Sequence, residues 1–394
     1  MLDESRVLLM SEPIEEMYMD ASSRLLINIS RHLGQDAISA TVPWEIAKLS
    51  EVSQITRENS RIIETSTSGK DGKIQATVNE AMAVTTDDVD EVCKDLPIVR
   101  SGMVAETSYE IASSSIQETS AVNGVMLQSS VSQYQGAVLE ASARSERLLA
   151  EGMDIKKVRK DALQYAIMKM ASQGITGYVD RAGRHWTADA YIAMCIRTAL
   201  GNTAIQGQRA RSAEYGVSTF QISKKTPARE LCAPYIGWVC SWDGITGTVR
   251  DFYGKEYMVR SIYDTSYGEP AGIFGINCGH RPLTFVNGYS IIRDSVLTEE
   301  QQKENAKVYS QTQQMRAMER KVRELKTQAV ALDAAGLGIP GTLAKRIQDR
   351  TNVYREFCRA NGLTERPKRM WVDGYDKSLA STVSAAARNN RRIA

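Results

Sequence analysis

Histidine is scarce in this chain of 394 residues: only His32, His185 and His280 are present. Six cysteines are scattered along it, and no two form a C-x-x-C pair. Those two facts exclude the common zinc-finger and zinc-ribbon spacings and the thioredoxin-like redox motif. A chain of this length does not need a disulfide framework to hold a core. No apolar run approaches the roughly 18–20 residues that a membrane-spanning helix needs. The Val7-Leu8-Leu9-Met10 patch follows Asp3, Glu4 and Arg6 and is too short for a secretory signal. The expectation is a soluble protein made in a reducing cytoplasm, with no membrane partner. No G-x-x-x-x-G-K-[ST] loop is available to cradle phosphates, and no pair of carboxylates stands out for acid–base work.

What remains is of ordinary globular composition, with 42% hydrophobic and 24% charged residues. The length allows two or three domains. The net charge of +2 conceals an asymmetry. Residues 1–150 carry about eleven more acids than bases, and residues 298–394 about eight more bases than acids. The first stretch would be repelled by nucleic acid, whereas the last, ending Arg388-Asn389-Asn390-Arg391-Arg392, can approach phosphates. The plain alternative is a solvated helical face followed by a frayed tail.

Residues 11–33 read as a helix, capped by Ser11 with Pro13 in its first turn and closed by Gly34. A second amphipathic helix runs from about Pro43 through Ile62, and Ser68–Gly72 is a turn. Thr85 or Thr86 caps a further helix. Residues 101–145, rich in Ser, Ala, Gln and Glu, read as long, weakly amphipathic helices that need cover from copies of themselves or from another protein. After residue 160, glycine, aromatic and β-branched residues become more frequent. Strands are expected at 174–178, 217–222, 236–240 and 291–292, a helix at 187–200, and a hairpin turn at 180–184 in which Gly183 takes a positive φ and Trp186 anchors the next element. Val308, Met315, Met318, Val322, Leu325, Ala329 and Leu332 occupy heptad a and d positions. After a break at 336–341, a return helix through Leu343, Ile347, Tyr354 and Phe357 completes an αα-hairpin.

The fold expected is therefore α+β. It has an extended N-terminal helical region (1–150), a central α+β domain with a mainly antiparallel sheet (151–297), a coiled-coil-like C-terminal hairpin (298–365) and a basic tail (366–394). Arg316, Arg320, Lys321, Arg323 and Lys326 decorate the hairpin and, with Arg388, Arg391 and Arg392, are the candidate nucleic-acid or partner contacts.

The sharpest local cluster is Gly275-Ile276-Asn277-Cys278-Gly279-His280-Arg281-Pro282. Cys278 and His280, with Cys232, Cys240 and at most His185, are the candidate ligands if a metal is bound. A Cys–His nucleophile would also need an orienting group and an oxyanion hole, which nothing in the sequence marks. The preferred reading is a glycine-punctuated turn with a packed cysteine and a hydrogen-bonded histidine, with no catalytic residue, no metal and no cofactor.

Four segments carry a family likeness. They are Trp44–Leu49; Gly174–Tyr178 with Asp180, Gly183, Arg184, Trp186, Tyr191, Met194, Arg197 and Thr198; Thr226–Arg229 through Cys232–Gly237; and Gly275–His280 followed by the helix at 299–333 and by Phe357–Leu363. In these the chain resembles the phage minor capsid protein 2 family, distantly similar to Mu-type F head-morphogenesis proteins. It departs from that pattern at Tyr235-Ile236-Gly237, at Gly279 and in the histidine-free stretch 218–225. The resemblance implies a structural protein of the virion, placed at low copy in the phage head near the portal. Its implied partners are the portal protein, the major capsid or other head proteins, further copies of itself and the packaged double-stranded DNA. Two alternatives stand beside it: a metal-binding or catalytic protein centred on Cys278 and His280, and a protein ejected with the DNA into the host.

Overall fold

The structure, a computed structural model, describes residues 2–35, 44–181 and 183–393. Along the chain come α1 (Glu4–Gly34), α2 (Trp44–Ser50), α3 (Val52–Ser66), α4 (Lys70–Val92), α5 (Met103–Ala150) and α6 (Ile155–Gln173). The strands β1 (Thr176–Val179) and β2 (His185–Thr187) follow, then α7 (Ala188–Glu214). The strands β3 (Thr219–Ile222), β4 (Val239–Ser241), β5 (Gly247–Arg250), β6 (Glu256–Ser261) and β7 (Pro282–Thr284) precede α8 (Glu299–Ala334), α9 (Gly341–Ala360) and α10 (Lys377–Ile393). The class is α+β. Among the described residues no helix is long and apolar enough to cross a membrane.

The chain divides into two compact units, each assembled from three separated stretches. One comprises Met1–Glu15, Gly69–Thr119 and Ile192–Thr312, and the other Glu16–Ser68, Ser120–Tyr191 and Gln313–Ala394.

The first unit holds a five-stranded sheet of order β5-β6-β4-β3-β7. Only β4 and β6 pair in parallel, so the sheet is mainly antiparallel. One core gathers Phe220, Ile222, Ile236, Trp242, Ile262, Ile273 and Phe274, with the Phe220 and Trp242 rings stacked 4.2 Å apart. Aromatic pairs of this kind add about 0.5–1.5 kcal/mol beyond area burial. The unit is also tied by ions. The Arg211 guanidinium on α7 bonds both carboxylate oxygens of Asp90 on α4, each at 2.6 Å, and Glu214 at 2.7 Å. Glu214 in turn accepts the Ser101 N–H at 3.0 Å.

In the second unit a buried polar network joins four helices. Lys48, on α2 and 1% exposed, donates to Glu51 at 2.9 Å. The fully buried Tyr134 of α5 donates to the Lys48 carbonyl at 2.9 Å. His32 on α1 places one ring nitrogen 3.0 Å from Glu51 and the other 2.8 Å from Glu58 on α3. Farther along the chain, α8 and α9 share a core of Met315, Val322, Tyr354, Cys358 and Met370. α10 packs along α9.

Several sequence expectations are corrected. α1 begins at Glu4, because Asp3 caps it: its carboxylate accepts the Arg6 N–H at 2.8 Å. Ser11 is an interior residue whose hydroxyl bonds back to the Leu8 carbonyl, and Pro13 sits inside the helix. The expected second helix is interrupted at Glu51, and its proposed start at Pro43 lies outside the described residues. Thr85 and Thr86 are not caps. Both lie within α4, which starts after Gly69 at φ 74°. The stretch 101–145 is one helix, and it finds its cover within the chain. Ala112, Ser115, Thr119, Val122, Met126, Ser130 and Tyr134 are all buried at three- and four-residue spacing. The serine and threonine hydroxyls in that stripe bond to carbonyls of their own helix, as Ser115 does to Ile111 at 2.8 Å, so they are satisfied within a partly polar stripe.

Residues 291–292 form no strand. Gln221 takes the place of a ladder there, its side chain accepting the Arg293 N–H at 3.0 Å and donating to the Asp294 carbonyl at 2.6 Å. Strands β5, β6 and β7 are additional to those expected. Of the 180–184 turn, whose residue 182 lies outside the described residues, Gly183 has φ 75° as read, and Trp186 donates to Asp180 at 3.2 Å.

Candidate functional site

Two loops of the first unit deliver the cluster that the sequence singled out. Cys232 ends a turn in which its N–H meets the Arg229 carbonyl at 2.9 Å. Cys278 and His280 lie on the loop that enters β7. That loop is folded tightly: Phe274 and Asn277 hold positive φ angles of 61° and 54°, and the Cys278 N–H closes a turn on Gly275 at 2.9 Å. The Ser266 hydroxyl donates to the Leu231 carbonyl, and Arg229 donates to the Ile276 carbonyl at 2.5 Å. The two loops are thereby fastened together.

The result is a trio, Cys232, Cys278 and His280, whose potential ligand atoms all lie within 4.8 Å of one another. All three residues are buried inside the apolar core. Cys278 Sγ stands 3.3 Å from His280 Nδ1 and accepts the Phe274 backbone N–H at 3.2 Å. The Cys232 thiol donates to Cys278, and His280 beside it adds to the effect, so Cys278 is held well below the usual cysteine range despite burial. Cys232, as the donor, is pushed well above that range. Beneath the trio lies the buried Arg281, which donates to the carbonyls of Cys278 (2.9 Å), His280 (2.8 Å) and Leu2 (3.1 Å).

Of the other candidates, Cys240 is buried in the same core but does not join the trio, and burial pushes its thiol up to about 12. His185 lies exposed on β2 of the second unit. A nucleophilic role fits the trio poorly. His280 Nε2 is buried with no hydrogen-bond partner among the described residues, so nothing orients the ring as a base. Cys278 is only 8% exposed.

The basic candidates are placed unevenly. On α8, Arg320 is exposed, while Arg316 is half-buried. Lys321 pairs with Glu324 at 2.7 Å and Arg323 lies 3.7 Å from Asp189. Lys326 turns inward, donating to the Met370 carbonyl at 3.0 Å beneath the Tyr375 ring, and burial lowers its pKa. Arg388 is exposed on α10. Arg391 and Arg392 belong to the same helix, with side chains outside the described residues. Sequence reasoning missed Lys345, Arg346, Arg350 and Arg359, all exposed on α9. The buried positions Leu343, Ala344, Ile347, Tyr354 and Cys358 leave them on the outer face, and that periodicity was the available signal.

A second surface lies on the first unit at the β5–β6 turn. Phe252 (63% exposed), Tyr253 (75%), Tyr289 (63%) and Ile291 (50%) crowd together there, the Phe252 N–H bonding the Ser290 carbonyl at 2.9 Å. Clustered exposed aromatics at a sheet edge make this a candidate interaction surface.

The comparisons with known proteins give the class: this is a phage structural protein. The chain belongs to the phage minor capsid protein 2 family, whose sequence profile matches residues 2–360. It is 29% identical over 161 residues to a structural protein of Lactococcus phage LL-H, a match covering 41% of each chain. It is 37% identical over 76 residues to a structural protein of Lactococcus phage mv4, covering 19% of this chain and 59% of that one. The matches thus span less than two thirds of either relative. No solved structure matches the chain.

Proposed function

We propose that this protein is built into the phage head at low copy, beside the portal. In this reading its apolar edge docks on a neighbouring head protein and its C-terminal helices face packaged DNA. The observation that carries the reading is the outer face of α9, where Lys345, Arg346, Arg350 and Arg359 stand exposed, together with Arg388 on α10. Family membership supports the head, and the charge supports the DNA contact. The acidic first 150 residues then belong against protein rather than nucleic acid.

The test is a titration of the full chain with double-stranded DNA across a series of salt concentrations. Binding should weaken as salt rises, with a slope of roughly −0.9 per phosphate neutralised. Replacing Arg346, Arg350 and Arg388 by glutamine should reduce that slope. Salt-independent or absent binding ends the DNA part of the proposal. Cross-linking in assembled virions tests the portal part, and cross-links confined to shell or tail proteins would overturn it.

A further inference from the structure

We propose that Cys232, Cys278 and His280 form a binding site for a thiophilic metal ion, zinc(II) above all, that pins the Arg229–Tyr235 turn to the loop entering β7. The proposal stands apart from the assembly role and asks nothing of portal or DNA.

Geometry is the first support. Tetrahedral zinc bonds of about 2.3 Å to sulfur and about 2.0–2.1 Å to nitrogen place two such ligand atoms roughly 3.6 Å apart. Cys278 Sγ and His280 Nδ1 are already 3.3 Å apart, and Cys232 completes a group lying within 4.8 Å. The separations involving Cys232 would have to close by at most about one ångström on binding. Two sulfurs and an imidazole are donors that select soft or borderline ions over magnesium or calcium.

The surroundings are the second support. Burial is costly for bare polar side chains, and this trio sits among Phe274, Ile273 and Ile236. His280 holds Nδ1 toward Cys278, and its Nε2 has no hydrogen-bond partner among the described residues. The Phe274 N–H already points at Cys278 Sγ, as an outer donor to a metal-bound thiolate does. Arg281 is buried and forms no ion pair with a carboxylate among the described residues. Its guanidinium grips the carbonyls on either side of the cluster instead, which fixes the two ligands of that loop and places a positive charge beside the sulfurs.

Binding conserves charge. Before it, the trio holds one hydrogen on Cys232 and one shared between Cys278 and His280, besides the hydrogen on the outer ring nitrogen. A divalent ion bound through both sulfurs and Nδ1 releases the first two as protons and leaves the cluster neutral.

The test uses the full chain, purified under reducing conditions. Elemental analysis should find one zinc per chain. Cobalt(II) exchanged into the site should give an intense thiolate-to-cobalt charge-transfer band, and zinc should abolish it. Cys232→Ser and Cys278→Ser should each cut that band by about half, and His280→Gln should lower affinity at least tenfold, while Cys240→Ser leaves all readouts unchanged. If these variants fail to fold, the cobalt spectrum of the unaltered chain decides alone. Three results would overturn the proposal: no metal and no charge-transfer band after anaerobic reconstitution, equal loss of metal in Cys240→Ser, or a Cys232–Cys278 disulfide in a chain that binds no ion once reduced.

Discussion

Arg211 and Asp90 face each other across the first unit with two hydrogen bonds of 2.6 Å, in the planar fork that guanidinium and carboxylate share. The Arg211 side chain is 6% exposed and that of Asp90 33%. Removing one partner leaves a charge with little solvent, at a cost of roughly 3–5 kcal/mol for a fully buried pair and about 2–3 kcal/mol here, where water still reaches the carboxylate. Arg211→Met should therefore lower stability more than Asp90→Asn, because the former abandons both Asp90 and Glu214. Urea unfolding of both variants checks the order.

The same pair sets an acid limit. Its hydrogen bonds to Arg211 hold the Asp90 carboxyl below its ordinary 3.8. A depressed carboxyl contributes stability that is complete above the ordinary value and is lost as pH falls through the lower folded-state value. Asp90→Asn should flatten the dependence of unfolding free energy on pH below about 4. An unchanged acid slope in that variant would remove Asp90 from the account.

Tyr134 and Lys48 give a third expectation. The Tyr134 hydroxyl has the Lys48 carbonyl at 2.9 Å and Glu51 at 3.3 Å, in a site without water access. Tyr134→Phe keeps the ring and deletes the donor, which should cost about 1–2 kcal/mol. Lys48→Ala should cost more, since Glu51 then loses its ammonium partner. A thermal melt in which Lys48→Ala matches the unaltered chain would show that the network is not holding these helices.

Much of this fold is legible in the sequence, for identifiable reasons. Strong apolar periodicity marks α8 and α9, where Val322, Leu325 and Tyr354 fall on the buried face. Gly183 and Asp180 announce their turn through local chemistry alone. The failures have causes of equal clarity. α5 buries Ser115, Thr119 and Ser130, and hydroxyls in a stripe hide its amphipathicity from a hydrophobic pattern. β5 and β6 do alternate, with Val249, Tyr257 and Val259 turned inward between exposed Thr248 and Met258, but β5 is only four residues long and Met258 is itself apolar, so the hydrophobic pattern hides the alternation. At the candidate site, the cluster Cys278–His280 is visible as a motif. Cys232, 46 positions before Cys278, is brought in by tertiary folding, and Cys240, equally plausible by spacing, is left aside. The outward charge of α9 was overlooked because α8 holds the denser basic run, although Lys326 of that run is spent inside the fold.

Gly272 is a steric requirement of the loop that carries Cys278. A Cβ there would stand 1.9 Å from the Ser266 carbonyl oxygen, which is backbone and cannot swing aside. Gly272→Ala should cost about 3 kcal/mol or more and loosen Cys278 and His280 together. Gly247 on β5 has open space around its missing side chain, and Gly247→Ala should stay within about 0.5 kcal/mol. Comparable melting temperatures for the two variants would refute the reading of the 266–278 loop as close-packed.

The exposed pair Phe252 and Tyr253 separates folding from assembly. The two rings stack edge to face with centroids 5.4 Å apart, and each is mostly in solvent. Exposed positions of this kind contribute little to the stability of the chain itself, within about 0.5 kcal/mol. An aromatic anchor buried in an interface contributes about 2 kcal/mol or more to the contact. Phe252→Ser with Tyr253→Ser should thus leave the melting temperature within a degree or two of the unaltered chain. If this edge is the docking surface in the head, incorporation into virions should fall at least tenfold, the equivalent of about 1.4 kcal/mol. Quantitative mass spectrometry of purified particles, made with the variant as the sole source of the protein, provides the measure. Particles containing the usual amount of the doubly substituted chain would move the docking surface elsewhere. A lowered melting temperature would instead assign the two rings to the fold.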